Sequence, residues 1–201
     1  MSLTVSESAS EHARIPRARF LENIDAAIRE QLGSDLEAAG DSKVMGAWEA
    51  MFARLEELYS KYKFMEQNLR GRRSHLLAQL PELRTNLEVL EQLRTQKPPL
   101  RTSFLLSEQV HARARVDSAD EVLLWLGAKT MLELPIADAV KLLDEQRVGV
   151  EHELENLESE LAFLREQTTT AEVNRARLHN WRIERTRTHR APAAPHEHSH
   201  H

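Results

Sequence analysis

Residues 136–178 read IADAVKLLDEQRVGVEHELENLESELAFLREQTTTAEVNRARL. Within them Ile136, Val140, Leu143, Arg147, Val150, Leu154, Leu157, Leu161, Leu164, Thr168, Ala171, Arg175 and Leu178 follow one another at spacings that alternate 4 and 3 without a break. An average step of 3.5 residues keeps one stripe of a slightly under-wound helix facing a partner helix over many turns. The stretch therefore predicts a coiled-coil helix, extending over 136–187. Thr168 and Arg175 are polar at stripe positions and are read as setting register, while Thr169 and Thr170 face solvent.

A partner of matching length lies upstream, over 44–97, closed by Pro98 and Pro99. Leu55, Leu58, Tyr62, Met65 and Leu69 are spaced 3, 4, 3, 4, and the series resumes at Leu76, Leu80, Leu83, Leu87 and Leu90. The step from Met65 to Leu76 is a stutter that relaxes supercoiling, and Gly71 lies inside it. Pro81 deletes one helical hydrogen bond, so a kink is expected there, with Gly149 opposite as a small residue to accommodate it. Each helix spans roughly 75 Å at 1.5 Å per residue. Equal lengths imply antiparallel pairing, which brings Trp48 to Leu55 against Leu178 to Ile183 at one end.

Between the helices the period changes from 3.5 to 2. Val110, Ala112, Ala114 and Val116 alternate with His111, Arg113 and Arg115, a strand pattern. Val122 to Leu126 is apolar on both faces, and Gly127 and Ala128 make a turn before Thr130 to Leu134. With Thr102 to Leu106 this gives four short strands, or two β-hairpins, over 101–134. The fold class expected is mainly α: a long antiparallel coiled-coil hairpin with two β-hairpins inserted between its helices. A strand apolar on both faces needs cover on both, and unpaired edges recruit other chains. Phe104, Leu106, Val110, Val116, Val122, Leu124, Trp125, Leu126, Met131 and Leu134 are accordingly an expected oligomer interface. The alternative is a locally packed mini-sheet.

Composition fits this reading. The chain has 201 residues, of which 29% are charged and 5% aromatic, with six glycines and no cysteine. That suits thin helices sharing a seam rather than a globular core. Lack of cysteine excludes disulfides and thiolate chemistry. No apolar run is long enough to span a bilayer, and a soluble, cytoplasmic protein is expected. The net charge of −5 gives no general attraction for nucleic acid. Residues 136–170 are acidic and 171–201 basic, an order that complements a helix dipole. The arginines at 175, 177, 182, 185, 187 and 190 lack the interleaved aromatics that stack on bases. Lys61, Lys63, Arg70, Arg72 and Arg73 are read as a solvated face. No P-loop, dinucleotide fingerprint or zinc-protease motif occurs. No catalytic residues, metal or cofactor are expected, although His196, His198, His200 and His201 make a His-rich tail. Residues 1–15 and 188–201 are expected to be disordered. Pro16 is expected to open a short helix with Phe20, Leu21, Ile24 and Ile28 on one face, followed by a loop to residue 43.

The functional candidates beyond the strands are Trp48, Met51, Phe52, Leu55, Leu178, Trp181 and Ile183. They are large apolar groups at the helix ends. Such groups mark interaction sites when exposed, and methionine and aromatics adapt to varied partners. The alternative is that they hold the two helix ends together.

Several separated strings resemble the alpha-type prefoldin subunits, in particular the subunit 3 family, also called the von Hippel–Lindau binding proteins. They are Lys61-Tyr62-Lys63-Phe64-Met65-Glu66, Leu80-Pro81-Glu82, Trp125-Leu126-Gly127-Ala128 with Met131-Leu132-Glu133, Phe163 through Asn174, Asn180-Trp181, and Ile15-Pro16 with Phe20. The resemblance covers residues 15–185. It implies a heterohexamer with one further alpha-type and four beta-type subunits, whose strands together form a double β-barrel carrying six coiled coils. It also implies that coiled-coil tips hold non-native actin and tubulin and pass them to the cytosolic group II chaperonin without nucleotide. A structural coiled-coil scaffold or tether without holding activity is the alternative. An adaptor role in ubiquitin-ligase complexes is suggested only by the family's second name.

Overall fold

The structure is a computed structural model that describes residues 14–190 apart from 34, 37, 97 and 128. The elements are α1 (Ile24–Leu32), α2 (Asp41–Thr95), β1 (Leu100–Ser107), β2 (Val110–Val116), β3 (Glu121–Gly127), β4 (Thr130–Pro135) and α3 (Ile136–Arg190). The described residues fall into two compact units. One holds the residues up to Leu69 and from Ser159 onward; the other is Arg70–Glu158.

In the first unit α2 and α3 run antiparallel, since Trp48 bonds Leu178, while Tyr59, further along α2, bonds Glu172, further back along α3. The 4–3 stripe of α3 is its buried line here: Leu164, Thr168, Ala171 and Leu178 are all buried. Tyr62 of α2 is fully buried among them. Thr168 fits the seam because its hydroxyl donates to the Leu164 carbonyl at 2.8 Å, leaving only its methyl to pack. Arg175 leaves the seam at its tip: its guanidinium reaches Glu56 at 3.3 Å and covers the Tyr59 ring at 4.7 Å. Thr169 is exposed and Thr170 half-buried.

The expected helix from Pro16 begins later, at Ile24. Asn23 is extended (φ −129°, ψ 112°) and its side chain accepts the Ala26 N–H at 3.0 Å, a capping contact that starts α1 there. Residues 16–22, which belong to no helix or strand, are tied down by side chains of α2 and α3. Gly33 ends α1 in the left-handed region at φ 65°, its N–H on the Arg29 carbonyl. The disorder expected at 1–15 and 188–201 lies outside the described residues for 1–13 and 191–201. Ile15, which is described, is 5% exposed, and α3 continues to Arg190.

In the second unit α2 and α3 are again antiparallel neighbours. Arg72 reaches Glu153 at 2.6 Å, and Arg84 reaches Glu151 at 3.0 Å. Helix α2 runs through Pro81 as one element. The anticipated role of Gly149 is corrected: a side chain there would meet nothing within 4 Å, so no close approach requires a glycine. The stretch from Lys61 to Arg73 is a paired, solvated face. Lys61 meets Glu57, Lys63 meets Glu66, Arg72 meets Glu153 and Arg73 meets Glu158.

The strands form two separate antiparallel pairs, β1–β2 and β3–β4. Leu100 faces Val116 and Phe104 faces Ala112; Val122 faces Leu134 and Trp125 faces Met131. Each pair shifts register by a bulge beside its turn, after Leu105 and after Trp125. Among the described residues no helix is long and apolar enough to cross a membrane.

Candidate functional site

At the helix ends of the first unit, α1 lies over the expected apolar group. Ile24, Ile28, Leu36, Val44, Trp48 and Leu178 form one buried cluster, with Met51, Phe52, Leu55 and Trp181 half-buried around it. The picture of these residues as an open apolar tip is corrected for Trp48 and Leu178, which are 4% and 0% exposed. Two isoleucines four apart on α1 supply the cover, because positions i and i+4 share a helix face. The Trp48 indole N–H donates to the Leu178 carbonyl at 2.8 Å, so its polar edge is satisfied inside the cluster. Its ring stacks on Phe52 at 4.9 Å. Ile183 stands outside the cluster and is exposed.

Besides Arg175, three further arginines of the basic end lie over aromatic rings. Arg177 lies over Phe20 at 4.9 Å, Arg182 over Trp48 at 4.8 Å and Arg185 over Trp181 at 5.5 Å. Arg185 also reaches Asp41 at 3.1 Å. Each stack joins a cation to a ring face. Sequence reading took this run as a dipole complement and missed the pairing with aromatics of distant segments.

Sequence reading also missed a polar track beside the seam. Residues 16–22 lie over the helix pair as a strap outside any helix or strand. The Tyr62 hydroxyl donates to the Pro16 carbonyl at 2.6 Å. The Gln167 amide oxygen accepts the Ala18 N–H at 2.8 Å. Asn174, only 2% exposed, accepts the Leu21 N–H at 2.9 Å and donates to the Arg19 carbonyl at 2.8 Å. Arg177 donates to the Glu22 carbonyl at 2.8 Å. Three residues beyond Glu22, Asp25 accepts the indole N–H of Trp181 at 2.8 Å. Burial raises the pKa of the Tyr62 hydroxyl above the ordinary 10.0, which keeps it a donor. Gln167, Asn174 and Trp181 are seven residues apart, and that repeat was the available signal.

The strand residues divide sharply. Val122, Leu124 and Leu134 are half-buried against the cluster of Leu90, Ala139 and Leu143 on the chain's own helices. For these three the local-packing alternative describes what is seen. Phe104, Leu106 and Trp125 are 62–63% exposed, and Val110, Val116, Leu126 and Met131 are exposed as well. Leu105, Leu123 and Leu132 are equally open and were not in the expected set. Leu123 belongs there because it shares the outer face of β3 with Trp125.

Comparison with known proteins gives a consistent result. The family model described as prefoldin subunit matches residues 62–181, more than half the chain. Prefoldin subunit 3 of Homo sapiens is 37% identical over 177 residues, covering 87% of this chain and 84% of that protein. Prefoldin subunit 3 of Drosophila melanogaster is 38% identical, with 89% and 86% covered. The Saccharomyces cerevisiae subunit 3 is 33% identical over 195 residues, with 90% and 91% covered. A chain of the filamentous PFD from Methanocaldococcus jannaschii aligns over 53% of this chain and 88% of its own, at 22% identity and a TM-score of 0.44.

Proposed function

The chain belongs to the prefoldin family, and from that premise we propose that it is an alpha-type subunit of a heterohexameric co-chaperone. Its partners are one further alpha-type and four beta-type subunits. The observation that carries this reading is the pair of β-hairpins. They expose Phe104, Leu106, Trp125 and Met131 on strands whose outer edges have no mate within the described residues. Apolar strands of this kind are completed by strands of other chains, here into a shared β-barrel.

On this reading the complex works in the cytoplasm. It holds non-native actin and tubulin chains and delivers them to the group II chaperonin without ATP. Client contact falls on the helix ends, where Met51, Phe52, Leu55, Trp181 and Ile183 remain partly open over the core made by Trp48 and Leu178.

Tagged chain drawn from native lysate is expected to bring down five prefoldin-type partners, identified by mass. The assembly is expected to suppress aggregation of diluted, denatured actin with no nucleotide added. A self-dimer alone would instead favour a scaffold. The triple change Met51→Ser, Phe52→Ser and Ile183→Ser should weaken that suppression and leave the hexamer intact; unchanged suppression would remove the helix ends as the client site.

A further inference from the structure

We propose that the track formed by Tyr62, Gln167, Asn174 and Arg177 is a binding site for extended polypeptide, which takes a segment of a non-native chain in exchange for the resident strap. The inference rests on the holding activity proposed above and assigns it a second site.

The first ground is what the track reads. Its contacts to Pro16, Ala18, Arg19, Leu21 and Glu22 all fall on backbone N–H or C=O groups. Every polypeptide carries those groups at the same repeat, so the contacts are blind to sequence. Recognition by main-chain hydrogen bonds, with few side-chain pockets, is how an extended peptide is taken up on a sheet edge. Here amide side chains on a helix play that part.

The second ground is geometric. Gln167 reads Ala18 and Asn174 reads Leu21. Three extended residues advance about 10 Å, and seven helical residues advance about 10.5 Å. A heptad of α3 and a three-residue step of extended chain therefore keep pace. Trp181 takes the next heptad position and meets Asp25. The match depends on backbone repeats alone, so any extended segment satisfies it.

The third ground is how lightly side chains specify the occupant. Ile15 enters the Tyr62, Leu164 and Ala171 cluster. Arg17 and Phe20 remain exposed, resting against Phe163 and Arg177. Leu21 packs against the cluster of Ile24, Ile28 and Trp48. Two apolar residues six apart, with small or long ones between them, are a pattern that unfolded chains offer repeatedly. The strap competes through its tether, at an effective concentration on the order of millimolar. A client already held elsewhere on the same assembly competes through an equivalent tether, so exchange is expected when client is engaged.

The test uses the full chain assembled with its partner subunits. Photoreactive benzoylphenylalanine replaces Phe163, which lies beneath Arg17 of the strap. The probe is reduced, carboxymethylated lactalbumin, a permanently unfolded polypeptide. Without it, crosslinks are expected on residues 14–23. In excess probe they are expected to move to the probe, at many positions along it. The sequence has no cysteine, so Phe20→Cys and Arg177→Cys can be joined by a short bis-maleimide before assembly. Relative to the same double variant left unlinked, which already lacks Arg177, that link should cut probe crosslinking about tenfold by removing the exchange. If crosslinks stay on the strap in saturating probe, the inference fails. It fails alone if the assembly still suppresses client aggregation, and together with the proposed function if suppression is absent too.

Discussion

Asn174 is buried yet fully used, with its amide oxygen on the Leu21 N–H and its amide nitrogen on the Arg19 carbonyl. Removing it strips partners from two main-chain groups at once. Asn174→Ala should weaken strap docking by about 1–3 kcal/mol, the cost of leaving buried polar groups unmade. Hydrogen exchange at the Leu21 and Ala18 amides reads this directly, and unchanged protection at Leu21 would refute it. Tyr62 offers a pH handle on the same segment. Burial raises its hydroxyl pKa above 10.0, so the folded value lies above the unfolded one. The stabilisation from its bond to Pro16 is then fully present below about pH 10 and lost as pH rises through the higher folded value. Tyr62 is one of two tyrosines. In a Tyr59→Phe background, the phenolate absorbance of Tyr62 should rise with a midpoint above about 10. Exchange at Ala18 should accelerate over the same range, and a midpoint at or below that value would contradict the assignment.

The long helices show where glycine is a liability rather than a device. Gly71 and Gly149 lie inside α2 and α3, and a Cβ at either would meet open space. Alanine at each should therefore stabilise by about 0.5–1 kcal/mol, chiefly by restricting the unfolded chain. Thermal unfolding followed by helical circular dichroism would show it, and a lowered midpoint would mean that one of these glycines has a role in the assembly. The same helices were the most legible part of the sequence. The stripe from Ile136 to Leu178 could be read because burial on a helix repeats at 3.5 residues, and Leu143, Leu157, Leu164 and Leu178 are indeed buried. The strands were legible from their period of two. What sequence did not reveal was the start of α1 at Ile24 and the cover it puts on Trp48. The strap's conformation is decided by Gln167 and Asn174, about 150 residues away, and its bonds run to backbone atoms that leave no hydrophobic period. Tertiary hydrogen bonding thus overrode a helix start that Pro16 made plausible locally. The candidate tip residues other than Ile183 do come together in one cluster; their burial was not legible, because a cluster of apolar side chains looks alike in sequence whether covered or open.

For the whole molecule the decisive imbalance is between the two faces of β3–β4. Its inner face, with Val122, Leu124 and Leu134, is occupied by the chain's own helices. Its outer face, with Leu123 at 61%, Trp125 at 63% and Met131 at 55% exposed, is largely open among the described residues. In the proposed hexamer that face takes its partner from another subunit. The two faces can be separated experimentally. Leu123→Lys with Trp125→Lys changes only the outward side, so the helical signal and melting of the isolated chain should be nearly unchanged. Burying each of the lost side chains is worth about 1.5–3 kcal/mol, and charge in their place adds a desolvation cost. Affinity for partner subunits should fall by on the order of a thousandfold. Val122→Ser with Leu124→Ser, by contrast, should loosen the hairpin from α2 and α3 and lower the melting temperature of the isolated chain. Co-purification after each pair, with circular dichroism of each isolated chain, distinguishes the outcomes. Retention of the partners by the lysine pair would mean that the outer face of β3 is not where the subunits join.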